Sequence, residues 1–419
     1  MDEKINMPAF SAAKKELIAA LLSYPAAYTY IAMLFGTEPE RWLLIAFAAI
    51  YILLAEYLCA GRQRSLESWV WLGCMLSAVS AYVFAPCNVW GDFLTFVFAH
   101  IFAVWWAMSR AGILLDGKSG HYLPLDALNG FIVLPFGNFS LRIRTWWYFA
   151  CRRHREGKKL NTAALLGSIF AVLLAAALLV SALGHLSNAD AGFGALVESI
   201  TGFFGSNVDF VNFLIQLLIS LPAGAYIFGL ISGGARLSRE RLDERRGKVE
   251  STLAQLHIVP AVIWDLCLAA FIVVYAVFFI MQGGYIFGAF SRTLPAELTV
   301  AQYARQGFFE LCRVMTLNLV LLWAVTRIGV RPVRERRLSL VLCAVLLIES
   351  MLFAVVALSK LSLYIDCFGF TPLRLQSTWL AAVLLAGCAA ALYSLLTGRR
   401  SCRAWMFFGA VTLSVLCWI

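Results

Sequence analysis

Charge is scarce in this chain. Asp, Glu, Lys and Arg together make up 14% of its 419 residues, against about 25% in ordinary soluble domains. So little charge does not cover a soluble surface. Histidine is rarer still, with five residues, and none stands in an HExxH or other ligand spacing, so no metal site is expected. Cysteine is present, but its eleven residues form no CxxC pair and fall in or beside apolar runs. Thiols in such places behave as small hydrophobes. No GxSxG elbow occurs and no nucleotide-binding loop is expected, which sets aside an ATP-driven pump or a soluble-type hydrolase. No cofactor is expected. There is also no cleavable leader in the reading of the N-terminus, because the run after Leu17 follows Glu16 and contains Pro25.

What the chain has instead is apolar length. Hydrophobic residues reach 61% and the mean hydropathy is +0.80. Many windows approach 20 residues with few charges, enough to cross about 30 Å of hydrocarbon. The runs are continuous rather than alternating, which argues against a membrane β-barrel. The expected fold class is therefore an all-α integral membrane protein of about eleven transmembrane helices, with ten to twelve as the range. The spans are placed at 17–35, 42–60, 69–85, 89–108, 160–183, 208–232, 256–281, 303–328, 339–358, 372–396 and 404–419.

Five parts follow in order. Residues 1–108 form a four-helix membrane part. Residues 109–159 form an amphipathic cytoplasmic or interfacial segment. Residues 160–232 give two spans, 233–255 a charged and helical cytoplasmic loop, and 256–419 a membrane part with five helices. Within the second part, 121–137 carries prolines and Asp126, so it is expected to lie on the surface or re-enter. Arg142, Arg144, Trp146 and Trp147 read as an interfacial helix meeting lipid or a partner, with the arginines reaching phosphates. The stretches 282–302 and 359–371 are expected to be connections outside the membrane.

The net charge of +10 invites a nucleic-acid partner, but the basic residues cluster between spans, as orientation signals do. With the N-terminus inside, every Lys and Arg falls on the inner side except Arg41, Arg292, Arg305, Arg313, Lys360 and Arg374. The expected partners are membrane lipids and a membrane or cytoplasmic protein on the basic loops, and no nucleic acid.

The expected organising stretch is Tyr303–Ile328. Glu310 and Arg313 stand three apart, so on a helix they share a face and can pair. Asn318 lies deeper. Glu349 is isolated among apolar neighbours, with Arg313 and Arg374 as candidate partners. Asp366 and Arg374 flank an outer loop, where Arg313 and Arg374 could hold a phosphate or carboxylate. Arg305, Glu310, Arg313, Asn318, Glu349, Asp366 and Arg374 are thus the ligand-binding or gating candidates. No catalytic residue is assigned.

The segment Tyr303-Ala304-Arg305-Gln306-Gly307-Phe308-Phe309, the following helix with Asn318, and Gly369-Phe370-Thr371-Pro372-Leu373-Arg374 resemble the signature of the bacterial DUF4173/DUF4153-like membrane proteins. The resemblance is best in the second half. It implies a location in the bacterial cytoplasmic (inner) membrane and carries no catalytic assignment to transfer. It also implies that Arg305, Glu310 and Arg374 are family features. Three functions fit the sequence. The first is a non-catalytic membrane scaffold or sensor regulating an envelope process through a partner. The second is a transporter of a small anionic or lipid-linked solute. The third is a membrane-embedded transferase on a lipid-linked substrate, with Glu310 or Asp366 as base.

Overall fold

A computed structural model describes residues 10–36, 40–87, 89–150, 186, 192–195, 207–255, 257–291, 307–330 and 332–419, with backbone alone at 207–211 and 282–291. Among the described residues the regular secondary structure is helical, with an isolated parallel bridge between Val259 and Gly329 and no strand. Among the described residues, eight helices are long and apolar enough to cross a membrane. The apolar helices Leu43–Leu58 and Cys402–Leu416 are shorter. The expected span at 160–183 lies outside the described residues, as does Arg305. The chain divides into two compact units, one of residues 1–84, 96–114 and 124–238, the other of 85–95, 115–123 and 239–419.

The first unit contains α1 (Lys14–Phe35), α2 (Leu43–Leu58), α3 (Leu66–Phe84) and most of α4 (Val89–Ala111). It also holds the short α5 (Leu123–Leu128), a π turn (Asn129–Val133), α6 (Leu134–Gly137), α7 (Leu141–Ala150) and α8 (Asn207–Arg236), apart from Leu123. Small residues on α1, Ala19, Ala20, Ala26 and Ala27, are almost wholly buried. They let α8 pack closely along it, which is how helices associate where lipid removes the hydrophobic drive. The charged ends of this unit meet at one end. Arg236 pairs with Glu16 at 2.5 Å, and Arg110 pairs with Glu56 at 3.0 Å. Arg62 donates to the carbonyls of Ala111, Ala235 and Leu237, and Arg110 to that of Cys59, so both arginines satisfy C-terminal carbonyls that helices leave open.

The second unit holds α9 (Arg239–Gln255), α10 (Ala261–Ser291), α11 (Phe308–Ile328), a 3₁₀ turn (Val333–Glu335), α12 (Arg337–Phe368), α13 (Pro372–Thr397) and α14 (Cys402–Leu416). Two expected connections are corrected here. Backbone hydrogen bonding carries α10 through 282–291, across Gly283-Gly284, and α12 through 359–368, and both helices end on a largely apolar turn. The organising element is also different from the one expected. α12 packs against α10, α11 and α13, while α11 supplies one wall.

α11 shows why. Phe308, Leu311, Cys312, Met315, Asn318, Leu322 and Val325 are its buried residues, a stripe at helical spacing. Its N-cap Gly307 has φ +87, a conformation glycine adopts at no steric cost. α13 opens with Thr371 accepting from the Arg374 amide and with Pro372 at the first turn, a pairing suited to a helix start.

Candidate functional site

Two polar groupings distinguish the second unit. The first lies inside its helix bundle. Asn318, near the middle of α11, is wholly buried. Its Oδ1 accepts from the Tyr275 hydroxyl of α10 at 2.7 Å, and its Nδ2 donates to the Ser350 hydroxyl of α12 at 2.8 Å. Ser350 donates onward to the Leu346 carbonyl at 2.8 Å. Phe353 closes the layer, with its ring 5.1 Å from that of Tyr275 and 4.7 Å from Phe279. Beside Ser350, the buried Glu349 leaves its Oε2 without a hydrogen-bond partner among the described residues. An ionisable group at this depth is costly and tends to mark an ion or substrate path.

The second grouping lies at the unit's basic end. Asp116 accepts from Arg400 at 3.0 Å and pairs with Arg246 at 3.2 Å, and the His121 Nδ1 stands 3.8 Å away. Arg246 also pairs with Glu250 at 2.9 Å, and Glu250 accepts from the Tyr122 hydroxyl at 3.3 Å. The loop 115–122 thereby clips α9 at its Arg246–Glu250 turn. Elsewhere α9 has no buried residue, and its Lys248–Glu244 pair is internal. A helix polar on all sides is held by such i,i+4 pairs or by bridging to another surface. Below α9, Val259 and Gly329 form the bridge that joins the end of α11 to the start of α10. Asp265 of α10 pairs with Arg336 at 2.8 Å and accepts from Ser339 at 2.5 Å, joining α10 to α12.

Burial pulls the His121 imidazole below its ordinary pKa. Arg400, Arg327 and Arg246 add to the shift, and the Asp116 carboxylate opposes it. The clipped loop thus disfavours a proton that the released loop accepts near the ordinary value of about 6.5. Clipping is at full strength above that value and weakens as pH falls through it. Hydrogen exchange of α9 amides, corrected for intrinsic rates, is expected to quicken on mild acidification, and His121→Gln is expected to remove that dependence. An unchanged pH response in His121→Gln would assign it to another group.

The sequence candidates divide sharply. Asn318 is part of the buried layer. Glu310 and Arg313 are exposed, and no ion pair between them is found among the described residues. They share a face, but it is the face opposite the buried stripe. Neither Arg313 nor Arg374 partners Glu349 in the described structure. Arg374 is engaged elsewhere. It donates to the Phe368 and Gly369 carbonyls and stacks 4.1 Å over Tyr364, so it caps the end of α12 instead of building an anionic pocket with Arg313. Asp366 is exposed, and Lys360, one and a half turns earlier, is buried near Gly307.

In the first unit, Arg142 departs from the expected lipid contact. It is 3% exposed, donates to the Leu221 carbonyl at 2.7 Å and stacks 4.0 Å over Tyr24. Gly224, without a side chain, leaves room for it against α8. Arg144 stacks 4.5 Å over Phe10, and Trp146 and Trp147 are exposed, as an interfacial face requires.

Tyr275, Ser350, Asp116, Arg246 and Arg400 were not singled out by the sequence. A polar residue on each of three spans would have been the signal for the layer. Nothing local signals that Asp116 and Arg400 meet across most of the chain.

A further correction comes from the letters themselves. Residues 112–119 read G-I-L-L-D-G-K-S, the G-x-x-x-x-G-K-S pattern of a phosphate loop, where none was expected. Its setting is not that of a nucleotide hydrolase. It follows helix α4 rather than a strand, and no helix begins at Lys118, since α5 starts at Leu123.

A family model described as Domain of unknown function (DUF4153) matches residues 71–419. No curated protein and no solved structure matches the chain.

Proposed function

The chain belongs to the DUF4153 family, and from that premise we propose that it is a non-catalytic membrane regulator, a scaffold or sensor that acts on an envelope process through a protein partner docking on α9. The observation that carries this reading is the clipped, otherwise unburied α9, joined through Val259 and Asp265 to the ends of three spans. A change in the bundle would reach α9 along that path. The clustering of Lys and Arg supports an N-terminus on the inner side. The resemblance to bacterial proteins favours the cytoplasmic membrane as the location.

A test is native mass spectrometry of the gently extracted protein. A stoichiometric protein subunit is expected, and it should be lost when Arg239, Arg241 and Arg245 are replaced by Glu. The substitutions leave Arg246, Glu250 and their contacts with Asp116 and Tyr122 in place. A bare chain of unchanged mass in both forms would overturn the reading.

A second reading, transport of a small anionic or lipid-linked solute, is favoured by Glu349. Solute flux into proteoliposomes that falls on Glu349→Gln would select it.

A further inference from the structure

The loop 115–122 carries more positive charge than it neutralises. Arg246 and Arg400 converge on Asp116, and Arg327 lies close enough to act on His121 together with them. Lys118 is exposed on the same loop. Against these four cations stand Asp116 and Glu250, which leaves an excess of two positive charges. That excess is close to the charge of one phosphate group, about −1.5 to −2 near neutrality.

The backbone adds donors. Gly117 has φ +67 and the surrounding residues form turns, an arrangement in which consecutive amides make an anion-binding concavity. No hydrogen bond from the amides of Asp116 or Lys118 is found among the described residues. The sequence pattern, the open amides and the gathered guanidinium groups are separate observations, and all point to the same ligand chemistry.

We propose that the loop 115–122, with Lys118, Arg246, Arg327 and Arg400, is a binding site for a phosphate group. Lys118 and the loop amides would meet the phosphate oxygens directly. Arg400 would exchange part of its contact with Asp116 for the ligand, which is reasonable for a side chain 69% exposed. Ser119 is 2% exposed and already engaged, so it is not placed to hold a magnesium ion as the serine of a nucleotide hydrolase does. The site therefore binds and does not hydrolyse. Because Arg246 belongs both to this site and to α9, an arriving phosphate would hold α9 more tightly. In that respect the inference rests on α9 as the output of a regulator and supplies its input.

The ligand could be a soluble phosphate compound or the headgroup of a lipid, and the experiment separates the two. The full-length protein is placed in nanodiscs of phosphatidylcholine alone, and α9 hydrogen exchange and the unfolding midpoint are followed with inorganic phosphate or ATP. Chloride at equal ionic strength is the control, since exposed charges respond to salt alone. Saturable protection by phosphate or ATP assigns a soluble ligand. Protection seen only when phosphatidic acid is added to the nanodisc assigns a lipid headgroup. In either case Lys118→Ala and Arg400→Ala are each expected to weaken binding about tenfold or more, the effect of losing one charge-assisted contact.

The proposal is overturned if all three probes act no differently from chloride, or if the two variants respond as the wild type does. Both side chains are exposed, so their removal leaves the bundle intact. In the wild-type protein, a captured subunit with no response to the phosphate probes would sink this site alone. In the wild-type protein, a saturable phosphate response with no captured subunit would sink the regulator reading alone.

Discussion

Asn318→Leu is expected to lower the stability of the detergent-solubilised protein by about 2–3 kcal/mol, read as a fall in the thermal unfolding midpoint. The substitution keeps the number of heavy side-chain atoms but adds bulk, so its cost is mainly polar with a packing part. Asn318 accepts from Tyr275 and donates to Ser350. Leucine does neither, and the Tyr275 hydroxyl is left buried without an acceptor. In water-soluble cores each such orphan costs about 1–3 kcal/mol. Within membranes measured values are smaller, averaging about 0.6 kcal/mol with a maximum near 1.7, because the unfolded chain also finds partners. Two lost contacts in the upper part of that range, with a smaller packing cost, give about 2–3 kcal/mol. Tyr275→Phe removes the orphan, so Tyr275→Phe/Asn318→Leu is expected to be less damaging than the sum by about 1 kcal/mol. Additive losses would show that Tyr275 and Asn318 are not coupled and that the layer is not a unit.

The second large effect is expected at Asp265. The carboxylate joins α10 to the start of α12 through Arg336 at 2.8 Å and Ser339 at 2.5 Å. Removing one member of a buried pair costs about 3–5 kcal/mol, because the other charge is stranded. Here Asp265 is buried but the Arg336 side chain is 29% exposed, so water recovers part of the loss. Asp265→Leu is expected to cost about 2 kcal/mol. Asp265→Leu/Arg336→Leu is expected to regain most of it, since no charge then remains uncompensated. Thermal unfolding of the three proteins decides the point. A double variant as weak as the single one would mean that the carboxylate acts through Ser339 rather than Arg336. Because α9 runs into α10 just before Asp265, the single variant is also expected to loosen α9. Its hydrogen exchange would register that separately from global unfolding.

The class of this protein is settled by composition. Runs near twenty residues with almost no charge have few stable states other than membrane-crossing helices, and each carries that property in its own residues. The bounds of α1, α4 and α13 follow closely from the same local evidence, with Thr371-Pro372 marking one start, whereas α11 begins after Gly307 and not at Tyr303 as expected. The ends of α10 and α12 were not legible, because Gly283-Gly284 and the polar residues of 359–366 read as breaks and the helical backbone runs through both.

Pairing was decided only by the tertiary structure. Glu310 and Arg313 have the spacing of an ion pair, yet their face points away from the bundle and they stay apart. Arg142 has the neighbours of an interfacial arginine, yet it turns inward to the Leu221 carbonyl. Asp116 meets Arg400 only because their two loops come together at one end of the second unit. A side chain's neighbours within one turn of helix are fixed by its own sequence, through a rise of about 1.5 Å per residue. Its neighbours on other helices depend on how those helices rotate and slide against one another. That is set by the packing of small and large residues summed over many contacts, and no single stretch of sequence contains it.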